Sequence, residues 1–594
     1  MSNYQPPMKE MQFVIEELAN LQQLSQLEGF EDATPDMAEA ILETAGKLAS
    51  EVIAPTNHPG DQHGCRIENG SVVIPPGYTE AYQQFAENGW LGVDQPVEFD
   101  GQGMPYLMQS AVSEMWNSSN MSLALCPMLT IGAVESIKSH ASDELKQRYL
   151  PKMIAGEWSG TMNLTEPQAG SDLSAVRSKA VPEGDHYRIS GQKIFITWGE
   201  HDMTENIIHL VLARLPDAPE GVKGISLFLV PKFMVNNDGS LGDRNDANLV
   251  SLESKLGIHA SPTCVMSFGD NDGAIGYLIG EENNGLACMF TMMNHARLEV
   301  GMEGVGLSAM AYQHALAYAK DRVQGFASGQ SGRVSIIHHP DVRRMLMQMR
   351  AISEASRAIA YVTAATYDLS HKTVDTEERQ KYQRRLELMT PIVKGWCTEM
   401  AQESTYLGVQ VHGGMGFIEE TGAAQYYRDA RIITIYEGTT GIQAMDLMGR
   451  KILRDKGVAI GEFMEEIRTF LIELEKQGDD LSAINTRLSA AFDAFESTTD
   501  WFLKNGAEDA HIAGSVAVNY MMMMGNIVGG WLMAKAAVIA SQAIDNGSDD
   551  DFYRNKISTA QFYAEQILPR CEGLQHTIQS GSSAVMSIDV SSFE

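Results

Sequence analysis

The chain is short of cysteine, of basic residues and of long uncharged runs, and each shortage closes off a class of protein. Six cysteines stand among 594 residues, at Cys65, Cys126, Cys264, Cys288, Cys397 and Cys571. None pairs as CxxC and none has a histidine at zinc spacing, so neither a disulfide framework nor a metal site is implied. Scattered thiols suit a reducing compartment, and a cytoplasmic location is expected. Lys and Arg number 44 against 77 Asp and Glu, a formal net charge of −33. Nucleic-acid binding relies on cations that neutralise phosphates, so no nucleic-acid partner is expected. The same acidity disfavours an anionic membrane surface and favours solubility. The start, MSNYQPPMKEMQ, lacks a basic-then-apolar export pattern.

One run does lack charge. From Ile512 to Ala534 no side chain is charged, over 23 residues, a length that could cross a bilayer. It carries Ser515, Asn519, Asn526 and four glycines, its bulk is mostly methionine, and no basic cluster flanks it. It reads as a helix buried in a bundle, with no integral membrane span.

What the chain does have is length and alternation of texture. At roughly 100–200 residues per domain it holds three to five structural units. Residues 1–34 read as an N-terminal helical extension, with a helix over Met8 to Leu27. Thr34-Pro35 is a helix start, with Thr as N-cap and Pro at the first helical position. Ile41, Ala45, Leu48, Ala49 and Val52 follow on one helical face. Helical patterning fills residues 35–157, apart from the glycine-rich EFDGQGMP at 98–105. Over residues 158–282 short β-rich runs alternate with Gly, Pro, Asp and Asn, the pattern of an antiparallel barrel or sandwich. Residues 283–454 return to long helices, with Val342, Met345, Leu346, Met349 and Ile352 as a core stripe. Residues 455–594 add a helical extension ending near Pro569, then a Ser-rich tail. The fold class is mainly α with a central antiparallel β domain.

Gly304-Val-Gly306-Leu-Ser-Ala309 matches a dinucleotide fingerprint, but that motif needs a preceding strand. Here the surroundings read as one helix, so close helix packing explains the glycines. Three other segments carry chemistry: LTEPQAGSDLSAV (164–176), GQKIFITWGEHD (191–202), and VQVHGGMGF (409–417) followed by RDARIITIYEGTTGIQ (428–443). The first is a turn-rich loop that can offer N–H groups and hydroxyls to a ring or a phosphate, Gly170 giving it backbone freedom. In the second, Phe195 and Thr197 share one strand face and suit a flat, heteroatom-bearing group, while Trp198 points away into packing. In the third, Glu437 is a carboxylate beside Gly438, where backbone can approach a ligand closely. Arg322, at the end of a long helix, offers a guanidinium fork suited to a pyrophosphate. His412 reads as structural.

In order, and around a β block, these segments resemble the acyl-CoA dehydrogenase family over most of residues 36 to 450. The resemblance implies an α domain, a β barrel and an α four-helix bundle, here with the C-terminal extension. It implies bound FAD. Leu164 and Thr165 would lie near the flavin pyrimidine, Phe195 against the isoalloxazine, Thr197 near N5, and Ser171 near a phosphate or the substrate. Arg322 would reach the pyrophosphate across a subunit interface. Gln410, Gly413, Gly414 and Thr439 would meet the adenine end. Glu437 would take the C2 proton of the acyl-CoA, with its own N–H helping to stabilise the enolate oxygen. Tyr436, Gly438 and Arg297 would line the substrate site, and Arg297 would help hold it. Some relatives carry the base on the helix of Asn294 to Arg297; the matching position here is Ala296, which leaves Glu437. Three positions depart from the family: Gln324 and Gly325 follow Arg322 in place of a hydroxyl and an aromatic, and Gly441 replaces an adenine-contacting Gln.

The expected reaction is trans-2,3-desaturation, with electrons passed to electron-transferring flavoprotein by a homodimer or larger assembly. The extension, the YQPP start and the SPTC segment lean toward 3-methylmercaptopropionyl-CoA dehydrogenases of dimethylsulfoniopropionate breakdown. A medium- or long-chain acyl-CoA is the other substrate reading. An acyl-CoA oxidase, and a DNA-binding alkylation-response flavoprotein, are the competing functions.

Overall fold

The computed structural model describes residues 4–593; residues 1–3 and 594, at the ends of the two expected extensions, lie outside the described residues. The chain forms two compact units. One takes the chain up to Glu43, residues 105–114, and the chain from Val300 onward; the other takes 44–104 and 115–299.

The second unit holds the strands. After helices Ala54–His63 and Tyr78–Glu87 comes the helix Tyr106–His140, which begins in the first unit and is broken at Asn120 (φ −162°, ψ 91°). Asn120 caps the resumed helix by accepting from Leu123 N–H (3.2 Å), and its amide donates to Tyr78 Oη and Thr56 Oγ1, each 2.9 Å. A side chain that satisfies freed backbone groups is how a helix tolerates such a break. The region expected to be helical apart from the loop 98–105 contains a hairpin, β1 (Arg66–Glu68) and β2 (Ser71–Val73). Its turn is Asn69-Gly70, both at positive φ (51° and 81°), the geometry that matches strand twist.

The main sheet is built from β3 (Trp158–Asn163), β4 (Lys179–Glu183), β5 (His186–Thr197), β6 (Asn206–Ala213) and β7 (Ser226–Pro231), with β10 (Ala247–Leu252), β11 (Thr263–Phe268) and β12 (Ala274–Ile279). A small separate pair, β8 (Phe233–Val235) and β9 (Leu241–Arg244), lies between them in sequence. The strand order is β10-β11-β5-β12-β7-β6-β3, with β4 also on β5. All these pairs are antiparallel except β3–β6, which is parallel. The long excursion through β4 and β5 supplies the crossover a parallel pair requires. Strands β6 and β7 are buried along their whole length, and Ile189, Val211, Phe228, Met266 and Phe268 form the β core.

The first unit is helical. Its opening helix ends early: Met8–Phe13 passes into a wide turn to Leu18, and Asn20 adopts a left-handed conformation (φ 56°, ψ 59°) before Leu21–Leu24. The Asn20 carboxamide accepts from Gln23 N–H at 3.3 Å, a local bond that competes with a continuous helix. Thr34 accepts from Met37 N–H at 3.3 Å and the helix Pro35–Leu48 follows, as the Thr-Pro pair predicts. Farther on come Pro340–Lys372, Thr376–Pro391 and Cys397–His412. Met345, Leu346, Met349 and Ile352 are buried as their spacing predicts. The fingerprint-like glycines lie inside the helix Gly285–Asp321; a β-carbon on Gly304 would stand 2.8 Å from the Cys397 carbonyl oxygen, so close helix packing is their use.

The extension contributes Val458–Leu474, Ser482–Asn505, Ala510–Asp545 and Asp551–Gln566. It does not stop near Pro569: that residue caps a further helix, Arg570–Gln579, and proline is compatible with a helix start because the missing N–H would be unpaired there. Two helices, Tyr106–His140 and Ala510–Asp545, are long and apolar enough to cross a membrane by length and composition, and most of each apolar stretch is buried. In the second, Asn526 accepts from Trp396 Nε1 (3.0 Å) and its carbonyl from Tyr563 Oη (3.1 Å). Gly525 and Gly529 leave no room for a β-carbon beside Trp396 and Tyr563. Its polar and small residues thus serve packing within the bundle.

Candidate active site

The residues singled out from sequence fall in both units. In the β-containing unit, the loop 164–176 is pinned to β5. Lys193 is fully buried; its ammonium donates to the Leu164 carbonyl (3.0 Å) and to Glu166 (2.8 Å). Ile194 N–H donates to the Thr165 carbonyl at 3.0 Å. Glu166 also accepts from Arg177 N–H, Ser178 N–H and Ser178 Oγ at 2.8, 3.0 and 2.6 Å. Burial would raise the Glu166 carboxyl, but Lys193 and these donors hold it down at about 2. Arg214 fixes the far end, donating to the carbonyls of Ser174 and Val176 at 2.7 and 2.8 Å. Neither Glu166 nor Lys193 was singled out from sequence. The signal was there: a lysine inside a strand needs a carboxylate if it is buried.

The pinning leaves the loop's other groups outward. Ser171 is exposed and Thr165 half-buried, and neither hydroxyl has a partner among the described residues. A β-carbon on Gly170 would meet open space. On β5 the register slips opposite β11: Cys264 pairs with Ile196 but Met266 with Lys193, so Ile194 and Phe195 together face Val265. Such a bulge re-aims a side chain. Phe195 has φ 61° and is 58% exposed, an uncommon state for a large aromatic. Thr197 is half-buried with its hydroxyl unpaired among the described residues. Trp198 packs inward as expected, fully buried, its indole donating to the Ser122 carbonyl at 3.1 Å. Arg297 reaches Asn294 (3.3 Å) and lies over Phe290, on the helix where Ala296 is buried.

In the helical unit, Arg322 is exposed and its guanidinium has no side-chain partner among the described residues. The same holds for the Gln410 amide. Gly413 (φ 59°) ends the helix Cys397–His412; β-carbons on Gly413 and Gly414 would touch nothing within 4 Å. Bare backbone, an unpaired amide and a free guanidinium suit an anionic, heteroatom-rich ligand. His412 is buried, bonds the Gly408 carbonyl at 2.7 Å and lies among the rings of His314 and Tyr318.

Glu437 lies on a turn between Ala423–Ile433 and Thr440–Met445, half-buried, at φ 55°. Tyr436 donates its hydroxyl to Glu303 at 2.5 Å; burial and that carboxylate push the phenol well above its usual range, so it stays a donor. Gln443 donates to the Glu437 carbonyl at 3.1 Å. Gly438 sits at φ 89°, a left-handed conformation that favours glycine. Thr439 caps the following helix, accepting from Ile442 N–H at 3.3 Å. Among the described residues no group of three or more His, Cys, Asp or Glu could hold a metal ion.

The helical unit thus offers a half-buried glutamate at positive φ beside a glycine, together with open glycine backbone, and the β-containing unit offers a bulge-borne, exposed aromatic. Residues 35–157, 161–270 and 283–453 match the N-terminal, middle and C-terminal domains of acyl-CoA dehydrogenase, and 463–589 match the acetyl-CoA dehydrogenase C-terminal-like description. The chain is 48% identical to 3-methylmercaptopropionyl-CoA dehydrogenase of Ruegeria pomeroyi, over 98% of this chain and 99% of that one. It is 36% identical to a butyryl-CoA dehydrogenase of Syntrophomonas wolfei, over 100% and 99%. Among solved structures it is similar to ACDH-11 of Caenorhabditis elegans in complex with C11-CoA, with a TM-score of 0.78, 21% identity, and coverage of 99% of this chain and 97% of that one. The chain belongs to the acyl-CoA dehydrogenase family, and is an oxidoreductase of that kind.

Proposed function

We propose that the chain is an FAD-dependent dehydrogenase that converts a short acyl-CoA thioester, 3-methylmercaptopropionyl-CoA first among them, to the trans-2-enoyl-CoA. The observation that carries this is the turn of Glu437, where a half-buried carboxylate at φ 55° stands between a half-buried tyrosine and a glycine at φ 89°. Backbone strain of this kind, about 1–3 kcal/mol, persists where geometry serves function. Glu437 takes the C2 proton, as a positioned carboxylate can. Its backbone N–H stabilises the enolate oxygen, and Gly438 lets the thioester approach. Tyr436 and Arg297 line and hold the substrate site. Bound FAD supplies the two-electron acceptor for the hydride that leaves C3.

The residues present fit that cofactor. The open hydroxyls of Thr165, Ser171 and Thr197 and the exposed Phe195 ring, with Leu164, receive the ring end. Arg322 holds the pyrophosphate. Gln410, Gly413, Gly414 and Thr439 receive the adenine end from a neighbouring subunit, which makes a homodimer the smallest complete assembly. The division at 34/35, 157/158, 282/283 and 454/455 is part of the same reading, and electron-transferring flavoprotein is the proposed acceptor. Support for the substrate comes from the 48% and 36% relatives, whose names both specify short acyl groups.

The test is a flavin-bleaching titration of the purified enzyme with 3-methylmercaptopropionyl-CoA, butyryl-CoA and a long-chain acyl-CoA, beside Glu437→Gln. Bleaching by the short thioesters, and a loss of at least about a hundredfold in turnover in Glu437→Gln with flavin retained, are expected. Near-normal turnover in that variant sinks the assignment. Peroxide formed in air without added acceptor would mark an oxidase.

A further inference from the structure

The turn that carries Glu437 is tied to a carboxylate that takes no part in the proposed chemistry. Glu303 sits on the helix Gly285–Asp321, 1% exposed, and its Oε2 accepts the Tyr436 hydroxyl at 2.5 Å. Burying a carboxylate is costly unless hydrogen bonds compensate it, so a glutamate at an interior helix position calls for a use. One donor to it is the residue directly before the proposed base. On the other side of the base, Gln443 holds the Glu437 carbonyl at 3.1 Å, and the Thr440 hydroxyl donates to Glu399 at 2.5 Å. Glu437 is therefore held from both directions while its φ of 55° biases it to relax. Tyr436–Glu303 is the side-chain bond that fixes the upstream side.

We infer that Glu303 is a positioning residue for the dehydrogenation, acting through Tyr436 to keep the Glu437 carboxylate in register with C2 of the thioester. The inference rests on the reading of Glu437 as the base. Proton abstraction demands placement within a fraction of an ångström, and a misplacement near 1 Å costs about a hundredfold in rate. Cutting the bond should therefore act on turnover and leave ligand binding alone.

The experiment is a double-mutant cycle on the FAD-loaded enzyme with butyryl-CoA: Tyr436→Phe, Glu303→Leu, both together, and Glu303→Gln. Turnover is measured with KM, flavin content and the flavin spectral shift on adding crotonyl-CoA. Tyr436→Phe and Glu303→Leu should each lower kcat about tenfold to a hundredfold, with KM, flavin content and the spectral shift within about twofold. The double variant should lose no more than the worse single one, because both cut one bond. Glu303→Gln keeps an acceptor for the phenol and should recover kcat to within about threefold of the parent. Additive losses, a loss confined to KM, or no rescue by Glu303→Gln would overturn the inference. Should Glu303→Leu fail to fold, Tyr436→Phe decides, since unchanged kcat there removes the link. Glu437→Gln runs in parallel: full turnover in it defeats the base assignment itself, whereas its inactivity beside an intact Tyr436→Phe defeats the positioning role only.

Discussion

The Lys193 ammonium lies 2.8 Å from the Glu166 carboxylate, with the lysine side chain fully buried and the glutamate 4% exposed. This pair joins β5 to the loop 164–176, and the same ammonium holds the Leu164 carbonyl. Removing one partner of a buried pair leaves the other charge uncompensated, at about 3–5 kcal/mol. Glu166→Ala should therefore lower unfolding free energy by about that much and release the loop. Urea unfolding and the flavin-to-protein absorbance ratio check both effects. Glu166→Gln with Lys193→Met should recover most of the stability, since it buries no charge; equal destabilisation in the double variant would show that the pairing is not the cause.

The same unit carries two histidines held neutral. Burial, reinforced by Lys232, pushes His201 and His209 down to about 3. His209 bonds Thr161 at 2.7 Å and His201 bonds Ser159 at 3.0 Å. In the unfolded chain an imidazole takes a proton near pH 6.5, so between about 6.5 and 3 the unfolded state binds more protons. Stability from these groups is intact above pH 6.5 and falls as pH drops, by up to about 1.4 kcal/mol per pH unit for each. Glu166 runs later: its contribution is present above about pH 4.3 and goes as pH falls toward 2. Urea midpoints at pH 7, 6 and 5 should decline, and His201→Gln with His209→Gln should flatten the decline. A parent midpoint that does not move between pH 7 and 5 contradicts the account.

Much of this fold could be read from pattern, and the exceptions have physical causes. The stripe from Met345 to Ile352 and the Thr34-Pro35 start follow local rules, which a sequence displays. The Asn69-Gly70 hairpin obeyed a local rule too, but it lies in a helical region and its strands are three residues each. The break at Asn120 was not legible, because it depends on Tyr78 and Thr56, distant in sequence. The parallel β3–β6 pair depends on the path of the whole sheet. At the site, Glu437, Phe195 and Arg322 stood out because their segments carry motifs. Glu303 did not, since nothing in a helix pattern marks which buried polar residue will meet a turn more than a hundred residues away, and Gln443, six residues past Glu437, lay inside the motif without a role of its own.

Arg322 offers a cleaner test of cofactor binding than any residue in the loop 164–176. Its backbone is committed, N–H to the Tyr318 carbonyl and C=O to Ile336 N–H, each 2.8 Å, while its guanidinium is exposed and unpaired among the described residues. Arg322→Ala should leave the fold intact and lower flavin occupancy after gel filtration. Arg322→Lys should fall between, because an ammonium keeps the charge but not the planar fork. Full flavin retention in Arg322→Ala, with an unchanged melting temperature, would remove it from the cofactor site.

A buried lysine is among the groups that fasten the C-terminal extension. Lys556, on Asp551–Gln566 and 1% exposed, donates to Glu10 (2.7 Å) and Glu354 (2.9 Å), and Glu354 also accepts from Arg350 at 2.7 Å. The ammonium thus joins the first helix, the long Pro340–Lys372 helix and the extension. Lys556→Ala would leave two buried carboxylates facing each other, and the penalty should be about 3–5 kcal/mol. Because like charges at close range favour a proton on one of them, the variant should regain part of that stability as pH falls from 8 to 6, while the parent does not. Unfolding curves at the two pH values read the difference directly. A Lys556→Ala protein whose deficit is the same at both would mean that the loss comes from the missing side-chain packing rather than from the stranded charges.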